Sequence, residues 1–363
     1  MDKFSPKHLM FLILGVSIVS LKTYPTTLIK NGLRDSWIAV IISSILIFLF
    51  FMIIIKSWKK GPTLSLIKIY RLSLGNILGN IFIGLFILTL FLTLIECSSV
   101  EADSMHQNML IETPKWYLLL FFIIPIIYTI KKDLKTIITV TIIGIILIMI
   151  AGINLSILTS KYKHISFLLP IFEKGLTPGF IICILKSLGL YGSISIVLPY
   201  LNKIVDKKNK MSKFSIIALL ILIQMELVAI SGILMTFPVD LAISMNYPKL
   251  LQTQQVSYFQ FLEFGELYVM LQILGGWLLK YTITFYAILL IFRSFKLREK
   301  YISYSVYIIS LLVFICSYLI SKNSFILFKF LNYYEFISLV NFVLIPFVVF
   351  ILFSKKVKLQ KKP

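Results

Sequence analysis

Charge is scarce in this 363-residue chain: Asp, Glu, Lys and Arg together make up 14% of it, against about 25% in a soluble domain. Hydrophobic residues make up 59%, and mean hydropathy is +0.95. A chain with so little polar surface cannot cover itself in water, which excludes a soluble enzyme and a disordered tail alike. Cysteine is nearly lacking as well. Cys97, Cys183 and Cys316 form an odd set without close spacing, two of them within apolar runs, so neither a disulfide framework nor a thiolate metal site is expected. The three histidines, His8, His106 and His164, are too scattered for a His-based metal centre. No Ser/His/Asp or Walker-type arrangement occurs, so neither an enzyme nor a bound cofactor is expected. Acidic residues are the scarcest charges, 15 against 36 basic ones, for a net charge of +21. In a soluble protein that excess would suggest nucleic acid. Here the positions of the charges supply a different reason.

What the chain has in abundance is long apolar runs, each approaching the roughly 20 residues that cross a hydrocarbon core of about 30 Å. Ten are expected: Leu9–Ile29, Trp37–Ile55, Ile77–Ile95, Trp116–Ile130, Ile137–Leu158, Gly179–Leu198, Phe214–Thr236, Tyr258–Phe292, Tyr301–Ile320 and Phe336–Phe353. They are continuous rather than alternating, which favours helices over a barrel. Of the 36 basic residues, 24 fall in alternate connections together with both ends of the chain. A Lys/Arg bias of this kind sets orientation, so both termini are expected to be cytoplasmic, with 354–363 a basic tail. No nucleic-acid partner is then needed. No cleavable signal peptide is apparent, because the first apolar run continues without a small-residue cleavage site.

Two spans are irregular. The first carries Ser17, Ser20, Lys22, Thr23, Tyr24 and Pro25 where a plain anchor would carry Leu or Ile, and Pro25 breaks the helical hydrogen-bond ladder. The sixth carries Lys186, Gly189, Tyr191, Gly192 and Ser193. If these two spans correspond, the single membrane domain of 1–363 divides into five-span units, 9–158 and 179–353. Five is odd, so the two units run through the membrane in opposite directions. That is the inverted-repeat layout of secondary transporters, whose sites form where discontinuous helices free backbone groups near the midplane. The expected fold is therefore an all-α, ten-helix, LeuT-type 5+5 bundle with helices one and six interrupted.

Ionisable groups inside spans cost roughly 2.5–3.5 kcal/mol at a helix centre, and four stand out: Lys22, Lys186, Glu226 and Lys280. Lys280 shares a helix face with Gly276, Gln272, Tyr268 or Val269, and Gly265, by its three-or-four spacing. In a LeuT-type bundle the eighth helix packs beside the first near a sodium position, and an ammonium at Lys280 would take the ion's place. Snorkelling is the alternative for each lysine. Glu226 is a possible partner for any of them. Glu96 is expected to close the third span and open an acidic external segment with Glu101, Asp103 and Glu112, and Glu263 and Glu266 to cap the external end of the eighth. Thr89 and Thr93, one turn apart, either contact a ligand or bond back to their own helix. Ser20, Lys22, Thr23, Tyr24, Thr89, Thr93, Gly189, Tyr191, Gly192 and Gln272 are the candidate ligand contacts, with Lys186, Glu226 and Lys280 as a charge network.

The chain also resembles a known family, the permease-like B subunits of bacterial spore germinant receptors, within the amino acid–polyamine–organocation superfamily. The likeness lies in Phe4-Ser5-Pro6-Lys7-His8-Leu9-Met10-Phe11, Glu112-Thr113-Pro114-Lys115-Trp116 and Leu169-Pro170-Ile171-Phe172-Glu173-Lys174-Gly175, and then in Phe261-Leu262-Glu263, Gly276-Trp277-Leu278-Leu279-Lys280 and Phe285-Tyr286. Their order and spacing carry it over nearly the whole chain. The chain departs from the family at Tyr191-Gly192-Ser193, where an acid usually follows Phe-Gly, at Phe264 in place of an Arg, and in lacking a second glycine near the first break. The resemblance implies a nutrient-sensing membrane subunit in the spore inner membrane, partnered by an A subunit, a C-type lipoprotein and membrane lipid. Its ligand would be a small nutrient, an amino acid, held at the midplane. An active proton-coupled amino-acid transporter of the same fold is the competing reading.

Overall fold

A computed structural model of the protein describes residues 4–61, 64–173, 175–204, 210–255 and 264–359. The described residues contain helices and no strand. Nine helical stretches among them are long and apolar enough to cross a membrane. The expected fourth span, α6 (Lys115–Ile130), has 16 residues, a rise of about 24 Å, and is the one that falls short. The helices present Ile, Leu, Phe and Tyr outward, as at Ile153, Ile157, Tyr304, Ile308, Leu311 and Leu319. Apolar surface on that scale is stable only against lipid. The chain is a multi-pass membrane protein.

The first span is two helices, α1 (Pro6–Thr23) and α2 (Thr26–Gly32). Between them Tyr24 leaves helical geometry at φ −127°, ψ 56°, immediately before Pro25. Proline has no N–H to offer the preceding turn and disfavours α geometry in the residue before it, so the break falls where the sequence places it. After α3 (Ser36–Lys60), a short amphipathic helix, α4 (Leu66–Leu74), lies against α5. Helix α5 runs from Asn76 to Asn108. It continues well past the expected end at Ile95, so Glu96, Glu101 and Asp103 are buried helix residues rather than a solvated acidic loop, while Glu112 is exposed. Helix α6 and α7 (Leu134–Leu158) complete the first half.

In the sixth span, α8 (Pro178–Tyr191) gives way at Gly192 to a 3-10 helix over Gly192–Lys203. The interruption is thus a change of winding rather than a gap. Then come α9 (Met211–Thr236), two short helices α10 (Val239–Ser244) and α11 (Pro248–Gln254), and α12 (Phe264–Ser294). The expected start of the eighth span at Tyr258, and Glu263, lie outside the described residues. After α13 (Glu299–Ser321), the last span is built from α14 (Ser324–Ser338), a π-helical turn over Leu339–Leu344, and α15 (Ile345–Leu359). It begins well before the expected Phe336 and so takes in Glu335.

Helix α1 is the hub, packed on α9, α12 and α7, while α12 packs on α7 and α5. The α1–α12 seam is tight: a Cβ on Gly276 would lie 2.8 Å from a Val19 methyl. A polar knot ties helix ends together. Asp103 of α5 accepts from Lys115 of α6 (2.6 Å), Tyr247 (2.6 Å), Ser324 of α14 (3.0 Å) and Gln107 (2.8 Å).

Candidate binding site at the helix break

The break between α1 and α2 brings buried charges together from four other helices. Lys280 of α12 donates from Nζ to Glu96 Oε2 of α5 at 2.6 Å and to Ser20 Oγ of α1 at 2.5 Å. The other carboxylate oxygen, Oε1, accepts from Ser20 Oγ at 2.9 Å and from the Tyr24 hydroxyl at 2.6 Å. Both Glu96 and Lys280 are completely buried. The ammonium also lies over the faces of Trp277 and Tyr334, 5.4 and 6.0 Å from their centroids, where ring quadrupoles favour a cation. A buried ion pair persists only when its remaining donors and acceptors are met, and here they are met by Ser20 and Tyr24, residues of the broken span.

A second pair lies on the other side of the break. Lys186 of α8 donates to Asn332 Oδ1 at 2.5 Å and stands 3.6 Å from Glu335 Oε2. Glu335 Oε1 accepts from Thr27 of α2 at 2.6 Å. The two ion pairs therefore grip opposite sides of the break, one through Ser20 and Tyr24, the other through Thr27. Glycine permits the second grip. A Cβ on Gly189 would fall 1.9 Å from the Glu335 carbonyl oxygen, so no other residue lets α8 approach α14 this closely.

The other candidates scatter around this centre. Thr23 bonds back to Val19 O at 2.8 Å. Thr89 and Thr93 bond back to Leu85 and Thr89 carbonyls, both at 2.8 Å, and also face the last span: Thr93 meets Tyr334 OH at 2.9 Å, and Asn341 donates to Thr89 Oγ1 at 2.8 Å. Tyr191 meets Ser44 at 2.8 Å, and Gly192 lies against Ser338, Phe342 and Val343. Lys22, in the last turn of α1 just before the break, and Gln272 of α12 line a cavity between α7 and α9. Glu226 is fully buried with neither carboxylate oxygen hydrogen-bonded, and Lys22 and Lys280 are close enough to act on it. Of Glu266 only its place in α12 is described.

The sequence expectation misplaces or misses several members of the centre. Glu96 appears there as a loop acid, while Glu335 and Thr27 do not appear at all. A usable signal existed for Glu335: Phe325–Tyr334 is apolar and aromatic apart from Lys329 and Asn332, which continues the last span upstream of Phe336.

Among solved structures, MhsT in complex with L-phenylalanine is similar over 97% of this chain and 90% of its own, with a TM-score of 0.65 at 14% identity. Two variants of the Eremococcus coleocola manganese transporter each match over 94% of this chain and 78% of their own, with a TM-score of 0.56 at 16% identity. At such identities the likeness is one of fold: the LeuT-type helical bundle of membrane transporters. No curated protein matches the sequence. The profile of the spore permease family, described as spore germination protein, matches residues 3–326. With a match over nearly its whole length, the chain belongs to the spore germination protein family.

Proposed function

We propose that this chain is the nutrient-sensing subunit of a spore germinant receptor, and that it binds a small amino acid at the α1–α2 break. The observation that carries this reading is the convergence of the Glu96–Lys280 and Glu335–Lys186 pairs on opposite sides of the break. An amino-acid zwitterion offers the same two charges as such a pair. Its carboxylate competes with Glu96 for Lys280 and the hydroxyls of Ser20 and Tyr24, and its ammonium competes with Lys280 for Glu96. Exchange of an internal ion pair for the ligand's own charges loosens the link between α5, α12 and the break. That differential contact is what shifts a two-state equilibrium. An A subunit and a C-type lipoprotein then read the shift. In this reading 9–158 and 179–353 are inverted repeats, supported by the winding defects in the first helix of each. The Lys/Arg bias of the connections supports cytoplasmic termini, and the receptor reading puts the chain in the spore inner membrane.

Deleting the gene should abolish germination in response to one or a few nutrients in a panel of amino acids. Normal germination with every nutrient would sink the receptor reading. One observation favours the second reading, an active proton-coupled transporter: Glu226 is a buried carboxyl with no hydrogen-bond partner, the environment of a group that carries a proton. Uptake of amino acid into proteoliposomes by the isolated chain would support transport.

A further inference from the structure

Between α7 and α9 lies a cavity of about 520 Å³, lined by none of the ion-pair residues Glu96, Lys280, Lys186 and Glu335. Its wall is largely apolar, with Met149, Ile153, Met225 and Val228 among its residues, and Ile153 and Val228 reach the lipid-facing surface. Two ammonium groups enter it, Lys22 from α1 and Lys249 from α11, beside the amides of Gln224 and Gln272. Lys22 is only 9% exposed, and no described residue accepts a hydrogen bond from its Nζ. Lys249 donates to Gln252 Oε1 at 2.7 Å. No carboxylate is among the described lining residues, and Glu226, which acts on Lys22, is fully buried. Lys22 has Glu226 near enough to act on it, but a buried ammonium with no described hydrogen-bond acceptor is costly inside a membrane protein and marks a ligand path by default. Two cations at the lining, with no carboxylate among the described lining residues, leave positive charge for an anionic head group.

We propose that this cavity is a second ligand site, taking a monoanionic head group attached to an apolar body, with the head on Lys22 and Lys249 and the body along Met149, Ile153, Met225 and Val228. A free medium-chain carboxylate and the phosphodiester of an anionic phospholipid share that chemistry. The groups facing Lys249 are Lys22 of α1 and Lys163 of the α7–α8 connection, both cationic, with Glu226 of α9 beyond Lys22. Burial first, and these two cations second, push the Lys249 ammonium down to about 7. The free site thus loses a positive charge as pH rises through neutrality, and anion affinity falls with it.

The test uses the full chain in nanodiscs, reading the thermal-unfolding midpoint against hexanoate, and against hexanol as the uncharged body. A parallel arm uses native mass spectrometry to compare retention of phosphatidylglycerol with phosphatidylcholine. Hexanoate should raise the midpoint, hexanol should not, and Lys22→Gln and Lys249→Gln should each weaken binding about tenfold or more. Selective retention of phosphatidylglycerol that both variants abolish would identify the lipid as the source of the head group. On the unmodified chain, hexanoate affinity should drop about tenfold between about pH 6 and about pH 8, so the proposal stays testable if a variant does not fold. Equal responses to hexanoate and hexanol with no preference for phosphatidylglycerol, or binding unchanged in both variants and flat with pH, would overturn it.

Discussion

Glu96 and Lys280 set the character of the centre. Each is fully buried, and they lie 2.6 Å apart, so each supplies the other's counter-charge. Removing one partner of a buried pair leaves an uncompensated charge and costs about 3–5 kcal/mol, whereas replacing both with apolar residues of similar volume is often near neutral. Glu96→Gln should therefore lower the thermal midpoint sharply. The double variant Glu96→Gln/Lys280→Met should recover most of that loss while leaving the nutrient response abolished. Equal destabilisation by the single and double variants, measured as a thermal-unfolding cycle, would show that the two residues do not act as a pair. A further consequence follows from the ammonium's place between α12 and α1. It supplies fixed positive charge at the seam of the eighth and first helices, so the germination response should be the same in sodium and potassium buffers. A strict sodium requirement would remove that role from Lys280.

At the scale of the helix, close approach decides where the polar grips form. Gly189 lets the α8 backbone rest against the Glu335 carbonyl, and Ser338 Oγ donates to Gly189 O at 2.7 Å across the same contact. A methyl there must part the helices. Gly189→Ala should cost about 1–3 kcal/mol, as overpacked substitutions do, and should weaken the nutrient response as well, because α8 carries Lys186. Unchanged stability would mean that the α8–α14 contact relaxes freely. The helices themselves were legible because apolar runs of spanning length have few alternatives in a membrane chain. The break at Pro25, the winding change near Gly192 and the pairing of α12 with α1 were legible for local reasons of proline, glycine and helix-face chemistry. The ends of the third and tenth spans were not. Glu96 and Glu335 looked like boundaries because an isolated acid is costly in a helix centre, and the lysine that offsets Glu96 lies 184 residues away. Such a partner has no signature in a local window. The same limit hid Thr27, whose acceptor is 308 residues distant.

For the whole molecule, the fold is that of transporters, while the family is that of spore germination proteins. The Glu96–Lys280 and Glu335–Lys186 pairs converge on the α1–α2 break, which is where the proposed nutrient would act. Apolar side chains cover the lipid-facing helices, and the buried ion pairs gather beside the break. The most direct measurement is the nutrient dose–response of spores carrying Ser20→Ala or Tyr24→Phe at normal protein abundance. These changes remove the hydroxyls that tie Glu96 to the break and leave both ion-pair residues in place. If the nutrient is read there, the half-maximal concentration should shift about tenfold or more in each variant. Dose–response curves that overlay the unmodified protein in both would contradict the account.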